Sequence, residues 1–351
     1  MITRSKMKQM PYQPAPLLSG TPLQPWMSLA VKNRHERDNL IHFDEPTHVY
    51  TVKGSSKGIV SITQFHHCFF PHFNPDATIE KMMKSKKWPE SPYYGKTAAE
   101  IKAIWNQSGK EASEAGTAMH LGIEMVMNGA EAEVVPEVKE TKEWEYFWNY
   151  WKEDSKIWEP WRTEWEVWDE DLKLAGSIDM VYRNKIDGTF AIYDWKRAKE
   201  MKMSNDFETG YGPASHLPNC NYWQYTLQLN MYRYSLEKHY GLKISEMALV
   251  VLHPNNNNYK RFKLNRLEDE VEEMMECRRL AVLEGKGKVA IMDGGHDEHH
   301  SPQSPITPVK PVTPVTPPNA PKKKKSPKQT KEKKSKTQTS INDFWKKSTV
   351  E

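Results

Sequence analysis

Along Ser177–Tyr182, and again along Phe190–Tyr193, apolar and polar residues alternate, while Asn184, Asp187 and Gly188 between them supply turn chemistry. Alternation with period two on both sides of a turn predicts a β-hairpin. That hairpin puts Asp179 and Asp194 on neighbouring strands. Further strand-like stretches fall at Val49–Val52, Arg162–Trp168 and residues 247–253. At Ser61 a second strand or a helix begins, capped by the hydroxyl of Ser61 or Thr63.

Helical spacing occupies Ala98–Asn128 in two blocks separated near Ser108–Gly109, with Gly129 as a C-terminal cap. A third helix is predicted from about Val138 to Ser155. There Trp144, Phe147, Trp148 and Trp151 recur at helical intervals and read first as a buried aromatic face, ahead of a base-stacking surface. A long helix runs from about Asn221 to Tyr240 and ends at Gly241; another lies around Glu268–Glu284. The order of helix, three strands, helix and strand is that of an α/β domain.

The ends differ from the middle. Residues 1–35 are rich in Pro, Gln, Ser and Met without periodicity and read as a flexible segment, so the folded domain is expected over residues 36–293. Residues 294–337 read as a disordered Pro/Lys-rich linker, followed by an apolar motif at 338–345 and a short end at 346–351. Of the 351 residues 37% are hydrophobic and 11% aromatic, enough for a substantial core. Charge is uneven. The chain is +4 overall, yet residues 301–351 hold 12 lysines against Glu332, Asp343 and Glu351, so the preceding 300 residues carry about five net negative charges. A mildly acidic body still binds nucleic acid through a local basic groove or bridging metal ions.

Cys68, Cys220 and Cys277 form no CxxC pair, which argues against a zinc module, a disulfide scaffold or a four-cysteine cluster. No run of about 18 apolar residues exists and the N-terminus lacks an apolar secretion core, so a soluble intracellular protein with no membrane partner is expected. SGKE at 108–111 lacks the upstream glycine and following Ser/Thr of a phosphate-binding loop.

Two carboxylates on adjacent strands repel unless a cation or a proton lies between them. A divalent ion solves that problem, and carboxylate oxygens suit Mg²⁺ or Mn²⁺. Lys196 shares a strand face with Asp194 by parity. A metal-polarised water beside an ammonium group is a nucleophile for a phosphodiester. The bland alternative is a solvated strand edge.

GTAMH at 116–120, GSID at 176–179, DWK at 194–196 and QLNMY at 228–232 occur as an ordered set along the chain. Together they resemble the RecB-type branch of the PD-(D/E)xK nuclease superfamily over roughly residues 40–285. Some similarity to mitochondrial genome maintenance exonucleases and phage-type exonucleases is also present. The resemblance implies a restriction-endonuclease-like core, a mixed central sheet flanked by helices. It further implies a metal-dependent deoxyribonuclease acting in replication, repair or recombination, by exonucleolytic or flap-type processing. By the same resemblance Asp179 and Asp194 are metal ligands, with the Trp195 carbonyl and His120 as further ones, and Lys196 positions the attacking water. Glu124, four residues beyond His120, either joins the site or orients the histidine. Glu164 could add a carboxylate, but Glu166 shares its face by parity and the choice stays open. Gln228 and Tyr232 either contact the DNA backbone or steady the site. The chain lacks the cysteines for the iron–sulfur cluster that several RecB-type nucleases carry. The competing class is a noncatalytic DNA-binding or clamp-adaptor protein on a nuclease-like scaffold.

QTSINDFW at 338–345 resembles a PCNA-interacting peptide: Gln338, Ile341, then Phe344 and Trp345, which would form one apolar plug on a tight helical turn. A PCNA-type sliding clamp is therefore an expected partner besides DNA. The lysine block is consistent with nuclear localisation, or with the site of viral DNA replication if the chain is virus-encoded, and with nonspecific DNA contact. Six Ser/Thr-Pro sites from Ser301 to Ser326 offer phosphorylation positions, and HDEHH at 296–300 reads as a polar run.

Overall fold

The computed structural model describes residues 24 and 26–285. Its first helix, α1 (Ser28–Lys32), lies inside the stretch expected to be flexible. Leu29 is buried there, its N–H donates to Asn128 Oδ1 at 2.8 Å, and the Asn33 amide reaches the Trp161 carbonyl at 2.8 Å. The domain boundary at residue 36 is therefore too late. Five residues are too few to show a helical period, and their anchors are long-range.

A small antiparallel pair, β1 (Ile41–Asp44) and β2 (Val49–Val52), leads to β3 (Val60–Ser61) and α2 (Ile62–His67). Ser61 rather than Thr63 caps α2, its hydroxyl accepting from the Gln64 N–H at 3.0 Å. After α3 (Pro75–Met83) comes α4 (Ala98–Met127), one continuous helix of 30 residues. The expected break near Ser108–Gly109 does not occur. A single glycine costs a helix only about 1 kcal/mol, which the remaining turns and a Thr97/Glu100 capping box outweigh.

The third predicted helix is instead two: α5 (Pro136–Lys139) and α6 (Lys142–Asp154), divided where Thr141 turns its hydroxyl to the Trp144 N–H. The chain continues through β4 (Trp158–Asp169), β5 (Leu174–Asn184), β6 (Phe190–Lys196), α7 (Asn221–His239), β7 (Ile244–Val251), β8 (Lys260–Lys263) and α8 (Glu268–Leu283). The linker, the apolar motif at 338–345 and the proline-directed sites lie outside the described residues.

The main sheet is mixed. β5 pairs antiparallel with β4 along its whole length, antiparallel with β6 and parallel with β3; β7 joins β6 in parallel, and β8 closes the edge antiparallel. Alternation sorts the strands' side chains into two cores. Val181 and Ile192 face one that includes Phe65 of α2, Leu227 and Leu229 of α7, and Met274 of α8. Met180, Tyr182, Ala191, Tyr193 and Trp195 face another that includes Met119 and Ile123 of α4 and Phe147 and Tyr150 of α6. Helices thus flank the sheet on both sides, the layering expected for an α/β core. Of the aromatic stripe on α6, Phe147 is fully buried while Trp144, Trp148 and Trp151 are half-buried, which bears out the packing reading.

One detail of the sheet positions the site. On the β6 side, β5 pairs with β3 only through Leu174 and Ala175, and with β6 only from Met180 onward. Residues 176–179 lie between these two partnerships. Past Tyr193, β6 leaves β5 but keeps its pairing with β7 as far as Lys196. The two strands splay apart where GSID and DWK stand.

Candidate active site

The splay is held by a side chain in place of a strand. Trp195 N–H, which has no β5 backbone carbonyl opposite it, donates to Asp179 Oδ2 at 3.0 Å. Asp179 thereby closes the top of the hairpin and stays close to Asp194. The Lys196 ammonium lies 2.6 Å from Asp194 Oδ2 and 4.5 Å above the Tyr225 ring, with Asp194 itself only 4% exposed. Asp179, Asp194 and Lys196 share one face, as strand parity requires.

From the opposite layer, α4 brings His120. Its Nε2 lies 2.9 Å from the Trp195 carbonyl, and its Nδ1 faces Asp179 Oδ2 at 3.6 Å and Glu164 Oε1 at 3.9 Å. The Trp195 carbonyl, expected as a metal ligand, is thus engaged by the His120 ring. Glu164 falls opposite Asp179 in the β4–β5 register, adopts left-handed backbone with φ of 43°, and accepts from the Ser177 hydroxyl at 3.0 Å. A non-glycine residue in that conformation is strained, and such strain persists where surrounding contacts over-determine it. Its carboxylate, not that of Glu166, gathers with His120 and Asp179: donor atoms of these three lie within 4.8 Å of one another. Glu124, one turn beyond His120 and 4% exposed, is not part of that gathering.

Crowding shows in the acidities. Burial first, and then the neighbouring Asp194 charge, push Asp179 up to about 7, against the partial relief given by His120 and Lys196. Burial alone would lower His120, but Asp179 and Glu164 outweigh it and raise the imidazole above its ordinary value. Lys196 is likewise raised, because Asp194 and Asp179 overcome its burial, so it stays an ammonium. Two carboxylates, Glu164 and Asp179, gathered with one imidazole, and Asp194 beside them paired to Lys196, are a donor set short of positive charge. Such a set fits a divalent cation, and its oxygen-rich composition fits Mg²⁺ or Mn²⁺.

Gln228 and Tyr232 of α7 are buried and steady this arrangement. Gln228 Nε2 donates to Thr63 Oγ1 at 3.0 Å, and the Gln228 side chain also hydrogen-bonds the Tyr232 hydroxyl. Tyr232 in turn lies on Gly176, where an added Cβ would sit 2.7 Å from the tyrosine Cε1 and 2.8 Å from its oxygen. The glycine of GSID and the tyrosine of QLNMY are one contact. Sequence reasoning missed Tyr225, Ser177 and Tyr50. The spacing of Tyr225, Gln228 and Tyr232 on one helix was a signal for the first. Tyr50 of β2 is buried beside Tyr232, Glu166 and Glu164, all of which help burial to raise its hydroxyl; nothing local in its sequence marks it.

Residues 137–296 match the family model described as the PD-(D/E)XK nuclease superfamily. That span contains Glu164, Asp179, Asp194, Lys196, Gln228 and Tyr232 but not His120 or Tyr50. No curated protein matches the chain in sequence. Among solved structures, a candidate exonuclease from Eubacterium rectale is 13% identical over 53% of this chain and 77% of its own, with a TM-score of 0.32. The protein SSO0001 is 14% identical over 66% of this chain and 77% of its own, with a TM-score of 0.27. Among the described residues no helix is long and apolar enough to cross a membrane. Residues 137–296, which include β4 to β8 of the mixed sheet and the flanking helices α7 and α8, are thus similar to the PD-(D/E)XK nuclease superfamily.

Proposed function

We propose that this protein is a metal-dependent deoxyribonuclease that processes DNA ends or flaps in replication, repair or recombination. The observation that carries the reading is the meeting of His120, Glu164, Asp179, Asp194 and Lys196 at the splay between β5 and β6. In this reading Asp179, Glu164, Asp194 and the His120 Nδ1 would hold Mg²⁺ or Mn²⁺. A cation bound there would lower the pKa of a water and neutralise charge developing on the phosphate.

Lys196 acts as a fixed cation and hydrogen-bond donor. Its raised pKa excludes it as a neutral base near pH 7, so it orients the water or a phosphate oxygen. Asp194 anchors that ammonium at 2.6 Å, and the Tyr225 face lies beneath it. His120 restrains the Trp195 carbonyl and through it the end of β6. Gln228 and Tyr232 keep α7 against Gly176 and so keep Asp179 in place. The motif at 338–345 would tether the enzyme to a PCNA-type clamp, and the lysine block before it would direct the protein to the nucleus or a viral replication site.

The test is hydrolysis of end-labelled single- and double-stranded DNA by the purified chain, with Mg²⁺, with Mn²⁺ and with chelator. Cleavage that requires the metal and disappears in Asp194→Ala and Lys196→Ala is expected. Undiminished cleavage by either variant refutes the assignment. Removal of residues 338–345 is expected to abolish capture by an immobilised clamp while leaving hydrolysis unchanged.

A further inference from the structure

The segment joining β6 to α7, residues 197–220, leaves the site directly after Lys196 and returns at the helix that carries Tyr225, Gln228 and Tyr232. It has little regular structure, yet it is tightly braced. Tyr211 N–H donates to the Phe69 carbonyl at 2.7 Å, Asn205 Nδ2 to the Asn219 carbonyl at 2.7 Å, and Asn219 Nδ2 to the Pro71 carbonyl at 3.3 Å. Gly210 is packed so closely that a Cβ there would lie 2.6 Å from the Ala214 carbonyl oxygen and 2.8 Å from that of Phe69. At the tip of this fixed loop stands Phe207, 91% exposed, its N–H held by Asn205 Oδ1 at 3.0 Å. Met203 at 51% and Tyr211 at 37% are exposed beside it in sequence. An isolated exposed aromatic is ordinary; one presented on a preorganised loop leading out of a catalytic strand asks for a ligand.

The charge around it identifies the ligand's class. The loop's Lys199 and Lys202 are offset by Glu200, Asp206 and Glu208. The positive potential comes from across the fold: the Lys81 ammonium of α3 lies 5.8 Å from the Phe207 ring centroid. Lys84, which pairs with Glu80, and Lys86 and Lys87 follow within the next turns, all exposed, and Ala77, Glu80, Lys81, Lys84 and Ser85 line one open surface at the end of α3. Residues 75–110 carry seven lysines against four acids, a basic island on a body that is otherwise acidic. It precedes residues 137–296 and so lies outside the family match. A flat aromatic face beside ammonium groups is the pairing that binds single strands, bases stacking on the ring while phosphates meet the lysines.

Resting on the nuclease reading, we propose that Phe207 and the Lys81–Lys87 cluster form a stacking post for single-stranded DNA, which holds a strand as it approaches or leaves the site. The occupant is a single strand because a duplex hides its base faces. The ring belongs to the strand's path, not to the hydrolytic machinery.

The experiment measures binding of a fluorescent 20-nucleotide oligothymidylate, and of an abasic strand of equal length, to the full chain in chelator. Phe207→Ala is expected to weaken oligothymidylate binding about five- to tenfold, the loss of roughly one stacked base, and to leave abasic-strand binding unchanged. Phe207→Trp restores it. Lys81→Gln weakens both strands and lowers the salt dependence by about 0.7 in log–log slope. Equal binding by Phe207→Ala and the parent overturns the post, as does equal loss on both strands. A dimer in analytical ultracentrifugation that Phe207→Ala dissolves also overturns it, since the ring would then belong to a second copy. Hydrolysis by the parent with Mg²⁺ is scored separately: active parent with indifferent Phe207→Ala rejects the post alone, and inactive parent with base-selective loss rejects the nuclease reading alone.

Discussion

Two aspartates on adjoining parts of the same sheet, one buried and one half-buried, have opposite fates. Asp169, at the end of β4, is 1% exposed and fully served: Leu172 N–H donates at 2.9 Å, His239 Nε2 lies at 2.6 Å and the Lys238 ammonium at 3.5 Å. Burial works against its charge, but these partners win and hold the carboxyl below its ordinary range. Asp179, on β5, is given one backbone N–H and placed beside two more carboxylates, so burial and Asp194 carry it up to about 7. A structural acid is paired within the chain. An acid left in debt by the fold is kept for a charge that arrives from outside.

The largest test of that contrast is activity. Asp179→Asn or Lys196→Ala is expected to lower DNA hydrolysis by on the order of a hundred- to a thousandfold with the fold retained by circular dichroism. Asp169→Asn is expected to do the reverse, leaving hydrolysis of the folded fraction intact while lowering stability by about 1.5–3 kcal/mol in urea unfolding.

Next in size is the response to metal. Mn²⁺ or Mg²⁺ at about a hundred times its dissociation constant is expected to stabilise the parent by roughly 2.7 kcal/mol, and Asp179→Asn by much less. Thermal melts with and without chelator measure this; an equal gain in both proteins would place the cation elsewhere.

The two acids also predict opposite pH slopes. Asp179 is raised in the folded state, so without metal its contribution to stability is fully present below about 4 and is lost as pH climbs to about 7. Asp169 is depressed, so its contribution is present above about 4 and is lost as pH falls through its folded value. Metal affinity, which requires Asp179 ionised and His120 neutral, is expected to rise with pH across the neutral range. Titration calorimetry in buffers of different ionisation enthalpy reports the released protons. In Asp179→Asn the falling limb of stability disappears.

The smallest effects concern the support. Gly176→Ala drives a methyl into the Tyr232 ring and is expected to cost about 1–3 kcal/mol. Tyr232→Phe removes a hydroxyl bonded to Gln228 and costs about 1 kcal/mol. The cost of Gly176→Ala is expected to shrink in Tyr232→Leu, and full additivity would deny their contact.

Much of the site was legible because its pieces are local. Strand parity alone put Lys196 on the face of Asp194, a two-residue relation that no packing can undo. The α7 pair and the fold came from the resemblance carried by GSID, DWK, QLNMY and GTAMH together, not from any one of them. Parity also misled, since it made Glu164 and Glu166 equivalent. The left-handed turn of the backbone at Glu164 and its place opposite Asp179 distinguish them, and neither is written in the residues themselves. Likewise the merged helix α4 and the divided helices α5 and α6 follow from caps and neighbours that outweigh single glycine and threonine signals.

What the sequence determined by itself is the order of the main strands and helices and the shared face of Asp194 and Lys196, because those depend on backbone periods of two and 3.6 residues. What the tertiary structure alone decided is the splay of β5 from β6, the descent of His120 from the opposite layer and the closeness of Tyr50 to Tyr232. These join positions tens of residues apart, and their distances are set by how two cores fill the space on either side of the sheet.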